Sequence, residues 1–435
     1  MSSILTNNSA MVALQTLKSI NMNLTKTQNE ISTGKSVSNA KDNSAVWAIS
    51  KVMESDVQGF KGISDSLALG ESTVAVGQEA AETVTDLLTK VKGKIVASQE
   101  SNVDRVKIQA DIVALRDQIT SVTSAAQFNG LNLLSNRSNT AGTGTVKVLS
   151  SLDRSSDGSV KTSTISVAKQ DLGTTATNFS AGTATAAGSG GTISGAVDAA
   201  AAVALTGAAV PPTSTLVIDS VAAGTGIQIN ISGAAGTVGA AFNDSSRAVS
   251  YVARDGDTQA DVANGLAKDF NDRVTSAISA GTLSASSSLK AAVSVATSGV
   301  ATITFTGETG TGNNVSLQAI ETTGVANGGG LEDLAGIDVS TAAGATSALS
   351  KIEGLIQTAV DSAAAFGSVR GRIETQKEFV SKLTDSLKTG IGSMVDANME
   401  ETSARLQALQ VQQQLGVQSL SIANQAPQSI LSLFR

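Results

Sequence analysis

Side chains able to do chemistry are scarce in this 435-residue chain, and what is missing decides more than what is present. It contains no His and no Cys. That removes thiol nucleophiles, imidazole acid–base catalysis, disulfides and the usual zinc sets, and with them most hydrolase and metalloenzyme chemistries. Carboxylates in two Asp-rich loops remain. In Asp153-Arg154-Ser155-Ser156-Asp157-Gly158 the spacing fails a calcium loop, because the twelfth position from Asp153 is Thr164 rather than Glu, and a solvated turn is the better reading. Asp255-Gly256-Asp257-Thr258 offers carboxylates to a cation, but a turn followed by a helix N-cap explains the same residues with less. No catalytic residue, cofactor or metal is therefore expected.

The rest of the chain consists of elements that bury apolar stripes. From Val46 to Ile95, alternating steps of three and four residues give Val46, Ile49, Met53, Asp56, Phe60, Ile63, Leu67, Gly70, Val74, Gly77, Ala81, Val84, Leu88, Val91 and Ile95, of which only Asp56 is polar. This spacing puts one narrow apolar seam on a helix about 75 Å long, the pattern of coiled-coil packing. A matching register returns downstream, where Ile352, Ala359, Phe366, Ile373, Val380 and Leu387 recur every seven residues, with Leu355, Val369 and Leu383 three beyond alternate members. Burying a large seam residue stabilises by about 1.5–3 kcal/mol before entropy is subtracted, so each seam needs a partner and these two are expected to pair. Gly70 and Gly77 are then points of close helix approach or plain small-residue packing. A third helix with Ile108, Ile112, Leu115, Ile119, Val122 and Ala126 is expected to fold back antiparallel and to end at Phe128-Asn129-Gly130.

Both ends of the chain are heptad-bearing and poor in charge. Ala10, Leu14, Leu17, Asn21, Leu24, Gln28 and Ile31 form one set, with Lys18, Lys26 and Glu30 the only charged residues of 4–33. Gly390-Ile391-Gly392 is expected to break the downstream helix. Beyond it, Ala404, Ala408, Val411, Leu415 and Ile422 form the other set, and from Thr402 onward only Arg405 and Arg435 are charged. A solvated helix normally carries charge on its outer face, so these faces are expected to be covered by neighbouring subunits, a plain polar surface being the alternative. The two ends are expected to pair with each other and, in an isolated chain, to be poorly ordered.

Between the helices the pattern turns to strands. Val146–Leu149 and Ser163–Val167 read as a hairpin, and 181–210 as a low-complexity connection. Strands are expected at Thr215–Ser220, Gly226–Ile231, Ala248–Val252, Ala291–Ala296, Val300–Phe305 and Asn314–Ala319. A helix over Asp257–Ile278 carries Val262, Leu266, Phe270 and Val274 on one face. The fold class is mainly α: long antiparallel coiled-coil helices formed by both chain ends, a β-hairpin, and an inserted, surface-exposed α+β domain. Expected boundaries are 1–40 and 391–435 for the terminal helices, 41–138 and 336–390 for the two halves of a helical bundle, 139–184 for its hairpin, and 185–335 for the insert. A net charge of −7 argues weakly against nucleic acid, and 199–210 is too short and Ala-rich to span a bilayer. The start, MSSILTNNSA, lacks the basic and apolar regions of a signal peptide.

Ile31-Ser32-Thr33-Gly34, Ala40-Lys41-Asp42-Asn43, Gln127-Phe128-Asn129-Gly130 with Leu133-Leu134, the run from Gln413 to Asn424 and the close Ile430-Leu431-Ser432-Leu433-Phe434-Arg435 together resemble bacterial flagellin over about 1–135 and 345–435. The resemblance implies a subunit that self-polymerises into the flagellar filament used for swimming. It also implies export unfolded by the flagellar type III apparatus without a cleaved signal, which places the protein outside the cell. Absent Cys and only Pro211, Pro212 and Pro427 suit a threaded chain. Expected partners are further copies, possibly other flagellins, an export chaperone on the C-terminal tail, and the filament cap and hook-associated proteins, with no nucleic acid or membrane. The intrachain seam would comprise Phe60, Ile63, Leu67, Val74, Val84, Leu88, Val91, Ile95, Ile352, Phe366, Ile373, Val380 and Leu387. Filament-core assembly would fall to Leu14, Leu17, Leu24, Ile31, Val411, Leu415, Leu420, Ile422, Leu433 and Phe434. The chain departs from the family at Lys35-Ser36-Val37-Ser38, where an Arg is frequent. It also departs at the segment innate immune receptors recognise, which has Lys90, Gly93 and Lys94 here, so weak or no receptor activation is expected.

Two further readings share these features. A hook–filament junction protein has similar terminal helices, although the heptad length and the Ser-Ile-Leu-Ser-Leu-Phe-Arg terminus favour the filament subunit. The insert could also be an adhesive, carbohydrate-binding module, yet its lack of aromatics leaves little for stacking on sugars. An inserted zinc peptidase is ruled out by the absence of His.

Overall fold

The computed structural model describes residues 7–431 apart from 139, 156–158, 178–182, 187–191, 194–202, 206–210, 233–237, 239–248, 280, 311–312, 314, 324 and 326–327. Among the described residues, six α-helices and thirteen strands follow in chain order. The helices are α1 (Asn8–Thr33), α2 (Ser44–Ala97), α3 (Arg105–Ala125), α4 (Gln259–Ser279), α5 (Ala342–Val395) and α6 (Met399–Leu431). The short strands β1 (Gln127–Phe128) and β2 (Leu131–Asn132) precede the hairpin of β3 (Thr145–Arg154) and β4 (Val160–Ala168). The chain divides into two compact units, one of residues 1–65, 151–161 and 377–435, the other of 66–150 and 162–376.

In the second unit the seam is buried. Ile63 and Leu67 just before and after its boundary, and then Val74, Val84, Leu88, Val91 and Ile95, are at most 1% exposed, as are Ile352, Phe366 and Ile373. An antiparallel register follows from two contacts: Gly77 faces the ring of Phe366, and Lys92 pairs with Glu353. Helix α3 turns back through Arg105, whose guanidinium donates to the carbonyls of Ser98 and Glu100, and Lys94 pairs with Asp111. Asp104 caps α3 by accepting from the Lys107 N–H.

Among the described residues the insert has two sheets, made from β5 (Thr183–Ala186), β6 (Thr192–Ile193), β7 (Val203–Leu205), β8 (Thr213–Ile218), β9 (Thr225–Ser232), β10 (Val249–Val252), β11 (Lys290–Val295), β12 (Ala301–Thr306) and β13 (Val315–Thr323). One runs β10-β9-β13-β5 with β7 also on β13; the other runs β11-β12-β8-β6, antiparallel except for β6 beside β8. Helix α4 contributes Val262, Leu266, Phe270 and Val274 to their shared core, where Phe270 meets Phe305 edge-on at 5.1 Å between ring centroids.

Several expectations change. Phe128-Asn129-Gly130 does not end α3, which stops at Ala125; Asn129 (φ 50°) and Gly130 (φ 79°) form the two-residue turn of the β1–β2 hairpin, which needs positive φ at both positions. Gly390 and Gly392 lie inside α5, which runs on to Val395. In the stretch read as a loose connection, β5, β6 and β7 are paired strands; Thr and Val favour strands even without clear alternation. The start of the strand expected from Ala248, and Ser156-Asp157-Gly158, lie outside the described residues.

Gly70 is a point of close approach, but to a strand: a Cβ there would stand 2.6 Å from Val148 Cγ1 of β3. Gly93, in the same helix, has no atom within 4 Å of that position. Gly70→Val should destabilise the helical region by about 1–3 kcal/mol through overpacking, whereas Gly93→Ala should stabilise it by about 0.5–1 kcal/mol through helix propensity. Urea unfolding of the monomer followed by far-UV circular dichroism separates the two; equal effects would contradict the packing described.

Candidate assembly interface

The two chain ends meet in the first unit. Asn7 caps α1 by accepting from the Ala10 N–H at 3.1 Å, and its amide nitrogen donates to the carbonyl of Ala423 on α6 at 2.8 Å. Further along, Gln413 donates to Asn21 at 2.8 Å, and a Cβ on Gly416 would stand 3.2 Å from Leu17 Cδ1. Rising numbers on α1 meet falling numbers on α6, so the helices are antiparallel. Their far ends are joined by backbone bonds: Ser36 N–H to Val395 O at 2.7 Å and Ala397 N–H to Gly34 O at 2.9 Å, with Gly34 left-handed at φ 68°.

These joints give local reasons for the short motifs. Gly34 ends α1 in a conformation that penalises a Cβ. Asp42 accepts from the backbone N–H of Ser38 and Asn39, which holds its carboxyl below the usual range. Asn43 caps α2 through the Val46 N–H, and Asn398 caps α6 through the N–H groups of Glu400 and Glu401.

Which residues line the pair differs from the sequence reading. On α1 the inward positions are Ala10, Ala13, Leu17, Ile20, Leu24, Thr27 and Ile31, so Leu14, Asn21 and Gln28 lie one residue off the seam and exposed. On α6 they are Thr402, Leu406, Leu409, Gln413, Gly416, Leu420 and Ala423, again in alternating steps of three and four. Ala404, Ala408, Val411, Leu415 and Ile422 are exposed, with Leu415 at 58% and Ile422 at 69%. At 100° per residue they lie on the side of α6 opposite the pair. Helix α6 thus has two stripes. In the one that faces α1, Thr402, Gln413 and Gly416 interrupt the apolar character, so that only the 3–4 spacing marks it.

The remaining positions sort as follows. Leu17, Leu24, Ile31 and Leu420 are half-buried within the pair, while Leu14 and Val411 are exposed; Leu433 and Phe434 lie outside the described residues. Phe60 and Val380 are buried in the first unit and Leu387 is half-buried there. Ile49 is 52% exposed, and the next residue, Ser50, is buried at 3%. Asp56, the polar member of the stripe, is bound by Arg154 at 2.6 Å. Lys90 and Gly93 are exposed, and Lys94 is engaged by Asp111.

The outward side combines apolar residues with few charges. Met11, Val12, Leu14 and Met22 on α1 are all more than half exposed, and the chain lays Val12 and Ala13 beside Gly416 and Ser419 in a shallow groove. Chemically, such a surface can associate but cannot catalyse. The Asp-rich loop of the insert is occupied internally: Asp255 accepts from the Gly144 N–H at 2.6 Å, and Asp257 from the Tyr251 hydroxyl and the Arg254 N–H. Thr258 and Asp261 form a reciprocal cap on α4.

A family model described as the bacterial flagellin N-terminal helical region matches residues 4–140, and another, the bacterial flagellin C-terminal helical region, matches residues 349–434. Flagellin A of Rhizobium meliloti (strain 1021) is 35% identical over 437 residues, covering 100% of both chains. Flagellin FljM of Caulobacter vibrioides is 28% identical over 438 residues, covering 100% of this chain and 99% of its own. Among solved structures, flagellar hook-associated protein-3 from Legionella pneumophila aligns with 79% of this chain and 98% of its own at 9% identity and a TM-score of 0.35.

Proposed function

The chain belongs to the bacterial flagellin family, the structural proteins of the flagellar filament that serves motility, and from that premise we propose how it assembles. Monomers add through the outward faces of the terminal pair. The exposed α6 stripe of one copy (Val411, Leu415, Ile422) packs against the apolar outer side of α1 (Val12, Leu14, Met22) on the next. The observation that carries this is the second apolar stripe of α6, which the partner helix α1 leaves uncovered. Its position on one helix and its complement on another make the contact heterologous, and a heterologous contact that does not close on itself generates an open helical polymer.

The same features support the finer reading. With so few charges on its outer faces, the pair gains little from solvation and is poorly ordered until neighbours cover it, so assembly and ordering of the ends are coupled. A chain without Cys and with three Pro suits export in an unfolded state by the flagellar type III apparatus, with the charge-poor tail from about 400 onward held by an export chaperone before release. Residues 1–40 and 391–435 form the filament core, 41–138 and 336–390 with the hairpin of 139–184 the layer around it, and 185–335 the surface insert. Other flagellins, the filament cap and hook-associated proteins then meet the same terminal helices.

Placing a charge on the outer stripe separates assembly from folding. Leu415→Asp should slow seeded elongation more than about 100-fold, since an unpaired charge buried at each contact costs several kcal/mol. The far-UV spectrum of the monomer should be unchanged, because Leu415 points away from α1. Elongation at the wild-type rate, read by light scattering and negative-stain microscopy, would exclude this interface.

A further inference from the structure

We propose that the insert responds to pH, gaining stability as the surroundings become mildly acidic while the helical segments do not. The basis is the placement of its carboxyl groups. Glu321 lies on the face of β13 that also carries Val315 and Leu317, beside Ile227 of β9, and is 9% exposed. Among the described residues its Oε2 meets no hydrogen-bond donor. Asp269, half-buried on α4, accepts from the Ser250 N–H of β10 at 2.9 Å. Asp257 sits between the Tyr251 hydroxyl and the Arg254 N–H at the start of α4.

The charged surroundings of these groups do not offset burial. Around Asp269, α4 itself supplies Asp272, Arg273 and Lys268, and the 3-10 turn Glu332–Gly336 supplies Asp333. Lys268 is committed to Asp272 at 2.9 Å, and below both of them α5 presents Gly354, next to Glu353, which is paired with Lys92, and within a turn of Lys351. Strand β10 offers only its backbone. Asp257 has Arg254 on one side and Asp261 on the other. Glu321 is affected by burial alone.

Burial, reinforced by the carboxylates of Asp333 and Asp272, pushes Asp269 up to about 6, and burial also raises Asp257 and Glu321. A carboxyl whose folded-state value is raised binds its proton more tightly in the folded insert than in the unfolded chain. Its stabilising effect is complete below the unfolded value and disappears as pH rises through the folded one. The shifted carboxyls of the helical segments go the other way: backbone bonds lower Asp42 and Asp104, and the Lys51 and Lys382 ammonium groups lower Glu54 and Glu378. They keep whatever they contribute until the solution is far more acidic, and gain nothing between neutral and mildly acidic pH.

The test uses the full-length monomer in urea at about pH 5 and about pH 7.5, with hydrogen exchange corrected for its intrinsic pH dependence and read by mass spectrometry. Peptides from α4 and β13 should report an unfolding constant about tenfold smaller at the lower pH from Asp269 alone, while peptides from α2 and α5 should report no gain. Glu321→Gln and Asp269→Asn, which remove the charge but keep the shape, should each raise insert stability at the higher pH and flatten its pH dependence. Should one variant fail to fold, the other decides. The proposal is overturned if insert and helical peptides share one pH dependence, or if the folded variants retain that of the wild type.

Discussion

Antiparallel pairing of helices drawn from opposite ends of the chain is the constraint on which everything else depends. Asn7 reaches Ala423 across 416 residues of sequence, and Lys92 reaches Glu353. Such contacts carry a loop-closure penalty, but it grows only with the logarithm of the loop, so doubling the intervening length costs about 0.6 kcal/mol. The seams therefore tolerate an insert of almost any size between them. The insert in turn must hold itself together, which it does with two sheets and the apolar face of α4.

The terminal pair is built differently from the longer seam. Ile63, Leu67, Val84, Leu88, Ile95, Ile352 and Phe366 fill the long seam with large side chains that are at most 1% exposed. The other mixes Leu17, Ile20, Leu24, Ile31, Leu406, Leu409 and Leu420 with Thr27, Thr402, Gly416 and Ala residues, and most of its large side chains are only half-buried. Such a pair, with Val12, Leu14, Leu415 and Ile422 on its exterior, leaves apolar surface for a neighbour to cover.

Much of this was legible in the sequence where large apolar residues mark the seam, and little of it where they do not. The stripe from Phe60 to Ile95 and its partner from Ile352 to Val380 could be read directly, because Leu, Ile, Val and Phe sit at nearly every inward position. On α6 the logic inverts: Leu415 and Ile422 are outside, while Gln413 and Gly416 are inside, so hydrophobicity pointed to the wrong face. Glycine was ambiguous for a related reason. Asn129-Gly130 needs positive φ whether it ends a helix or turns a hairpin, and Gly390 and Gly392 stay helical because a helix accepts a Gly at about 1 kcal/mol when packing continues on either side. The Asp255–Asp257 loop could be read as a turn before a capped helix, but its partners, the backbone of Gly144 and the hydroxyl of Tyr251, could not, because they come from the fold.

The central claim is that the terminal helices pair within one chain and meet neighbours only through their outer faces. Because the chain has no Cys, a pair introduced as Asn21→Cys and Gln413→Cys can be bridged in assembled filaments by a short bifunctional thiol reagent without competing sites. Under denaturing electrophoresis the account predicts a fast-migrating, internally linked single chain. A ladder of dimers and higher species from the same pair would show that these helices pair between subunits instead, and would contradict it.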